Sequence, residues 1–178
     1  SFTGENIDLL HDRIIQMVSD LGTRCEEPEL FRLPVDRVFT TEGFGTVITG
    51  TLQEGMVQAG AEVMVYPRER PIKIRGIQSH GRKEDAAIAG QRTALNLLNV
   101  KKEDLKRGDV LAYPGSLVPS ALVDVKLSIF QTSDRELKSG DRIHLNYGSA
   151  QTIAKAVLMD QDRIARGESA YAQLRFDE

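Results

Sequence analysis

The chain has 178 residues and a mass of 19.7 kDa, enough for one large domain or two small ones. It is 40% hydrophobic and 28% charged with a net charge of −3, the balance of a folded globular protein and not of a disordered, fibrous or uniformly cationic one. Cys25 is the sole cysteine, which excludes a disulfide framework and any CxxC metal or redox site. The sequence has no apolar run long enough to span a bilayer and no basic start leading into an apolar stretch, so a cytoplasmic protein without a membrane partner is expected. Charge is unevenly spread: residues 1–29 carry −5, residues 30–115 carry +3 and residues 116–178 carry −1. The middle segment is therefore where a polyanionic partner is sought.

In residues 1–29, Ile7, Leu10, Ile14, Met17, Val18 and Leu21 recur at three- and four-residue steps, which predicts an amphipathic helix. Thr3 is its expected N-cap and Gly22 its stop. Residues 23–29 are polar and acidic, contain Pro28, and read as a linker. A helix of this kind must bury its stripe against something.

Residues 30–115 alternate instead. Strands are expected at 30–39, 45–52, 61–66, 72–80, 91–98 and 110–113, with Gly43, Gly55, Gly60, Gly90 and Gly108 at the breaks and a polar hairpin tip at 67–71. Six short strands at regular spacing predict a closed or nearly closed antiparallel β-barrel. Pro114, Gly115 and Pro119 mark a boundary. Residues 116–178 repeat the style with four alternating strands, around Val123–Ile129, Ile143–Tyr147, Ile153–Met159 and Ala170–Phe176. Four strands leave unpaired edges. Such a sheet either closes on the middle segment, recruits a second copy, or is continued by further chain. We expect the last, with homodimerisation of the truncated sheet as its consequence.

Motif tests narrow the chemistry. Gly43-Phe-Gly45 followed by Gly50 lacks the third glycine of a dinucleotide fingerprint, because Ile48 stands there, and lacks the lysine of a phosphate loop, because Thr51 stands there. The run leads into β-branched residues and not into a helix N-terminus that would hold phosphate. Its glycines are better explained as positions where a side chain would clash. His11, His80 and His144 have no metal-ligand spacing. There is no GxSxG, and no DxxG or NKxD, so no catalytic residue, metal site or cofactor is expected in this chain. One constellation remains. Asp36 and Arg37 lie in the first strand of the middle segment, His80 ends the fourth and Arg92 begins the fifth. If these strand ends share one rim, two guanidiniums and an imidazole make an anion site, with the carboxylate orienting an arginine. The alternative is a set of separate surface salt bridges, each contributing about 0–1 kcal/mol.

Residues 31–39 (FRLPVDRVF), 43–51 (GFGTVITGT), 90–97 (GQRTALNL) and 107–111 (RGDVL) resemble the second domain of translational GTPases. The wording is most similar to the bacterial selenocysteine-specific elongation factors, relatives of elongation factor Tu. Residues 121–127 and 167–174 resemble the third domain of that family, and residues 1–10 resemble the end of its GTPase domain. The resemblance implies two consecutive β-barrel domains, a mostly β fold with one N-terminal helix. Residues 1–29 would be the last helix of a GTPase domain plus linker, 30–115 the second domain, and 116–178 a truncated third. GTP and Mg, bound in the GTPase domain, and the mRNA hairpin, bound by C-terminal winged helices, would belong to parts outside this sequence.

By residue, the resemblance implies a selenocysteine pocket from Asp36, Arg37 and Arg92, with His80 in the segment where some members place a pocket histidine. A selenol is largely ionised near neutral pH and serine's hydroxyl is not, so a cationic pocket favours the selenocysteinyl ester. Arg68, Arg70, Lys73, Arg75, Arg82 and Lys83 become candidates for phosphate contacts to tRNA or ribosomal RNA. The expected partners are selenocysteinyl-tRNA and the ribosome. Competing readings are a generic translational barrel for ordinary aminoacyl-tRNA or ribosome docking, and a fragment that mainly self-associates through an open sheet edge.

Overall fold

A computed structural model describes residues 3–20 and 30–176. The expected linker and Gly22 lie outside the described residues. Helix α1 spans Ile7–Ser19 and starts later than the sequence predicts. Its N-cap is Asn6, in the left-handed region at φ 62° without a side-chain cap, a conformation asparagine tolerates. Thr3 is not the cap: its Oγ1 accepts the Glu5 N–H at 3.4 Å. The apolar stripe is uncovered, and no residue of α1 is buried. Among the described residues no helix is long and apolar enough to cross a membrane.

The first β unit holds ten antiparallel strands where six are predicted. They are β1 (Phe31–Pro34), β2 (Arg37–Thr41), β3 (Gly45–Thr51), β4 (Glu54–Gln58), β5 (Glu62–Tyr66), β6 (Arg70–Ser79), β7 (Arg82–Glu84), β8 (Ala86–Ile88), β9 (Arg92–Leu98) and β10 (Val110–Ala112). The ladder runs β2-β3-β9-β6-β5-β10-β1-β4-β8, with β7 on β6. It remains open at β2 and β8, so hydrogen bonds do not close a ring. The sheet instead curls round one core of large side chains that includes Leu33, Ile48, Val57, Val63, Ile77, Leu95 and Leu111.

Two departures from the predicted strands have physical causes. The single strand expected at 30–39 breaks at Val35–Asp36. Pro34 has no N–H to carry the ladder on, and the chain changes partners there: Val35 N–H donates to Asp109 O and Asp36 N–H to Thr49 O, both at 2.8 Å. Gly50 is required at this crossing, because a Cβ on it would stand 2.3 Å from Pro34 O. The hairpin β6–β7 turns on His80 (φ 51°) and Gly81 (φ 76°), a two-residue loop whose paired positive φ values match strand twist.

The second unit contains β11 (Leu122–Ser128), β12 (Leu137–Lys138), β13 (Arg142–Tyr147), β14 (Ala150–Leu158), β15 (Arg163–Ile164) and β16 (Ser169–Phe176). Its four long strands order β11-β16-β14-β13, and β12 pairs β15. The four expected strands are all present, with β11 and β13 as edges. The buried core is small, built from Ala154, Ala156 and Leu174 and from Leu158, Ile164 and Ala172. The tight β13–β14 turn sits on the first unit: Ser149 Oγ donates to Val35 O at 2.6 Å, and Arg107 Nε donates to Ser149 O at 3.0 Å.

Candidate functional site

The break at Val35–Asp36 gives the site its shape. It places Asp36 in the crossing between β1 and β2, with Arg37 opening β2. On β9, Arg92, Ala94 and Asn96 are more exposed while Thr93, Leu95 and Leu97 point to the core. Arg37 pairs with Thr49, Thr49 with Ala94, and Ala94 with Gln78, so one row crosses four strands. His80 stands just beyond this row in its turn. Arg37, His80 and Arg92 together line a shallow depression of about 460 Å³, with Phe39, Thr49, Gln78 and Ala94 among its walls. The two arginines and the histidine singled out from sequence are thus brought to one place.

Asp36 faces two arginines. Its Oδ2 lies 2.6 Å from Arg92 Nη1, and its Oδ1 lies 3.9 Å from Arg107 Nη2. The Arg92 hydrogen bond, reinforced by the charges of Arg92, Arg107 and Arg37, holds the Asp36 carboxyl below its ordinary value of 3.8 despite some opposing desolvation. Arg37 makes no ion pair among the described residues, so its guanidinium is available to a ligand. Three guanidiniums round one carboxylate leave two positive charges in surplus. Arg107 is not among the site residues that the sequence singles out. Its approach depends on contacts between segments some seventy residues apart, and no local pattern reports them.

A second depression of about 360 Å³ adjoins the first and shares Phe39, Gln78 and Ala94 with it. Phe39 and Phe44, both substantially exposed, flank Val47, Ala94 and Gly76, and Arg75 and Lys83 stand at its margin. Nothing lies within 4 Å of a Cβ built on Gly76, so the absent side chain keeps the space open. The available signal was an aromatic residue at an outward position of β2 and another at a turn tip.

The remaining basic candidates separate. Arg68 pairs with Asp109, whose side chain is wholly buried, and Arg70 Nη1 pairs with Asp104 at 2.9 Å; both ion pairs tie the β5–β6 hairpin to the segment that precedes β10. Lys73 lies opposite Glu62. Arg82 is exposed at the start of β7.

Residues 45–112 match the family of elongation factor Tu domain 2. The chain is 40% identical over 174 residues to a selenocysteine-specific elongation factor of Desulfomicrobium baculatum, covering 98% of this chain and 27% of that protein. The chain is homologous to a segment of the selenocysteine-specific elongation factors. The factor of that name from Haemophilus influenzae is 28% identical, covering 98% of this chain and 27% of the relative. A crystal structure of a bacterial selenocysteine-specific elongation factor superposes with a TM-score of 0.80 at 30% identity, over 99% of this chain and 28% of that one. The chain therefore spans little more than a quarter of the length of these relatives.

Proposed function

We propose that this chain serves translation elongation by binding the aminoacyl end of selenocysteinyl-tRNA, for delivery to the ribosome at recoded UGA codons. The observation that carries this reading is the pairing of an anion site with an aromatic-flanked depression on one sheet face. In the first, Arg37 and Arg92 attract a selenolate, and Asp36 fixes Arg92 through Oδ2. A seryl ester offers no charge there. A site built for a charged group that the competitor lacks discriminates more strongly than one reading shape alone. In the second, Phe39 and Phe44 provide faces on which a nucleobase stacks, with Arg75 and Lys83 placed for phosphate.

GTP and Mg do not fit the residues present. The sequence has no phosphate loop, and among the described residues no group of three or more His, Cys, Asp and Glu is placed to hold a metal ion. We read this chain as a binding module on the strength of its likeness to a segment of the selenocysteine-specific elongation factors, with nucleotide hydrolysis belonging to another part of the intact factor.

The test compares binding of one tRNA body charged with selenocysteine or with serine. Arg37→Ala and Arg92→Ala should each reduce the preference by about tenfold or more, since a hydrogen bond to a charged group contributes about 1.5–3 kcal/mol. An unchanged preference in both variants leaves a general aminoacyl-tRNA docking surface in place of a selenocysteine pocket.

A further inference from the structure

Arg107 is outside the pocket wall. With Asp36, Arg37 and Val38 it lines a neighbouring depression of about 560 Å³ that shares Arg37 and Phe39 with the one bordered by Arg37, His80 and Arg92, and Arg107 does not border the latter. It is held there by the second unit, through the 3.0 Å hydrogen bond from its Nε to Ser149 O. The same turn holds the backbone beside Asp36: Ser149 Oγ donates to Val35 O at 2.6 Å, and Gly108 N–H donates to that carbonyl at 3.0 Å. Packing leaves little room for the turn to shift. A Cβ on Gly108 would meet Ala150 Cβ at 2.9 Å, and one on Gly148 would meet the Pro34 ring at 3.4 Å.

Asp36 is consequently held from two sides. Arg92, from the sheet, takes Oδ2, and Arg107, tethered to the second unit, faces Oδ1. We infer that Arg107 is a positioning residue through which the Gly148–Ser149 turn of the second unit fixes Asp36, and through it the anion-binding Arg92. The inference rests on the proposed pocket and extends it, because selectivity then depends on a unit that contributes no side chain to the pocket wall. The arrangement also gives Asp36 a second cation when a bound anion draws on Arg92, so the carboxylate is never left alone against an incoming negative charge.

The experiment titrates Asp36 by carboxyl-carbon NMR in the whole chain and, in parallel, measures the preference for selenocysteinyl- over seryl-tRNA. Arg107→Gln should move the Asp36 midpoint up toward 3.8 and reduce the preference several-fold. Arg107→Lys, which keeps the charge but cannot reproduce the guanidinium's fork to Asp36 and Ser149 O, should restore the midpoint more fully than the preference. Ser149→Ala leaves all charges in place and removes one of the two hydrogen bonds to Val35 O; it should lower the preference with a smaller change in the midpoint. An Asp36 midpoint unmoved by Arg107→Gln overturns the inference whatever the tRNA result. So does a preference untouched by Arg107→Gln and Ser149→Ala while Arg92→Ala abolishes it, which leaves the pocket reading standing. A preference untouched by Arg92→Ala removes the pocket reading, and the Asp36 titration then decides the positioning role alone.

Discussion

The two β units read alike in sequence and differ in what covers them. In the first, the ten-stranded sheet curls round one core in which Ile48 and Leu95 have no exposed surface. In the second, burial fades from the central strands to the edges. Leu174 on β16 is buried, while its partner Val123 on β11 is 41% exposed. Alternation along a strand reports which face points inward, not whether anything lies against that face. The first unit can present a chemically specialised outer surface because its own core already secures it. The second contributes its Gly148–Ser149 turn, which hydrogen-bonds the backbone at Val35 and the side chain of Arg107.

The sharpest way to break this comparison is core truncation. Ile48→Ala should cost about 2–5 kcal/mol, the range for deleting a fully buried branched side chain. Val123→Ala, on the half-open face, should cost under about 1 kcal/mol. Chemical denaturation of the two variants measures both; equal losses would mean that the second sheet is as well covered as the first. Smaller is the contribution of phosphate contacts on the outer face. Lys83→Ala should weaken tRNA binding irrespective of the esterified amino acid and reduce the slope of log affinity against log salt by about one. A titration between low and moderate salt reads this directly.

Smaller again is the acid dependence of the site. The folded-state value for Asp36 lies below 3.8. Its contribution to stability is therefore complete above that pH and disappears as the pH falls through the lowered folded value. The difference in melting temperature between the chain and its Asp36→Asn variant should be constant above about pH 5 and shrink below pH 3.8. A difference that instead grows on acidification would contradict the assignment of Arg92 and Arg107 as stabilisers of the carboxylate.

Much of this architecture was legible because its cause is local. Alternating Val, Ile and Leu located the long strands, and the charge balance pointed to the middle segment. The grouping of Asp36, Arg37, His80 and Arg92 could be suggested from strand ends on one rim, but which arginine meets Asp36 could not. What escaped is what depends on distant chain. The break after Pro34 depends on Val35 and Asp36 bonding Asp109 O and Thr49 O, contacts that no local pattern carries. The three-residue strands β7 and β8 are too short for a period to show, and β7 is wholly polar as Arg82-Lys83-Glu84. Arg107 opens the RGDVL motif, but its spacing does not show that it meets Asp36 and Ser149 O, which lie far from it in the chain.

The central claim is that the rim of Arg37 and Arg92 selects by charge. Fluorescence anisotropy at low salt, with one tRNA body carrying either selenocysteine or serine, tests it most directly. Tighter binding of the selenocysteinyl form, diminishing as the pH is lowered through the selenol's ionisation, is the predicted result. Equal binding of the two forms at every pH would contradict it.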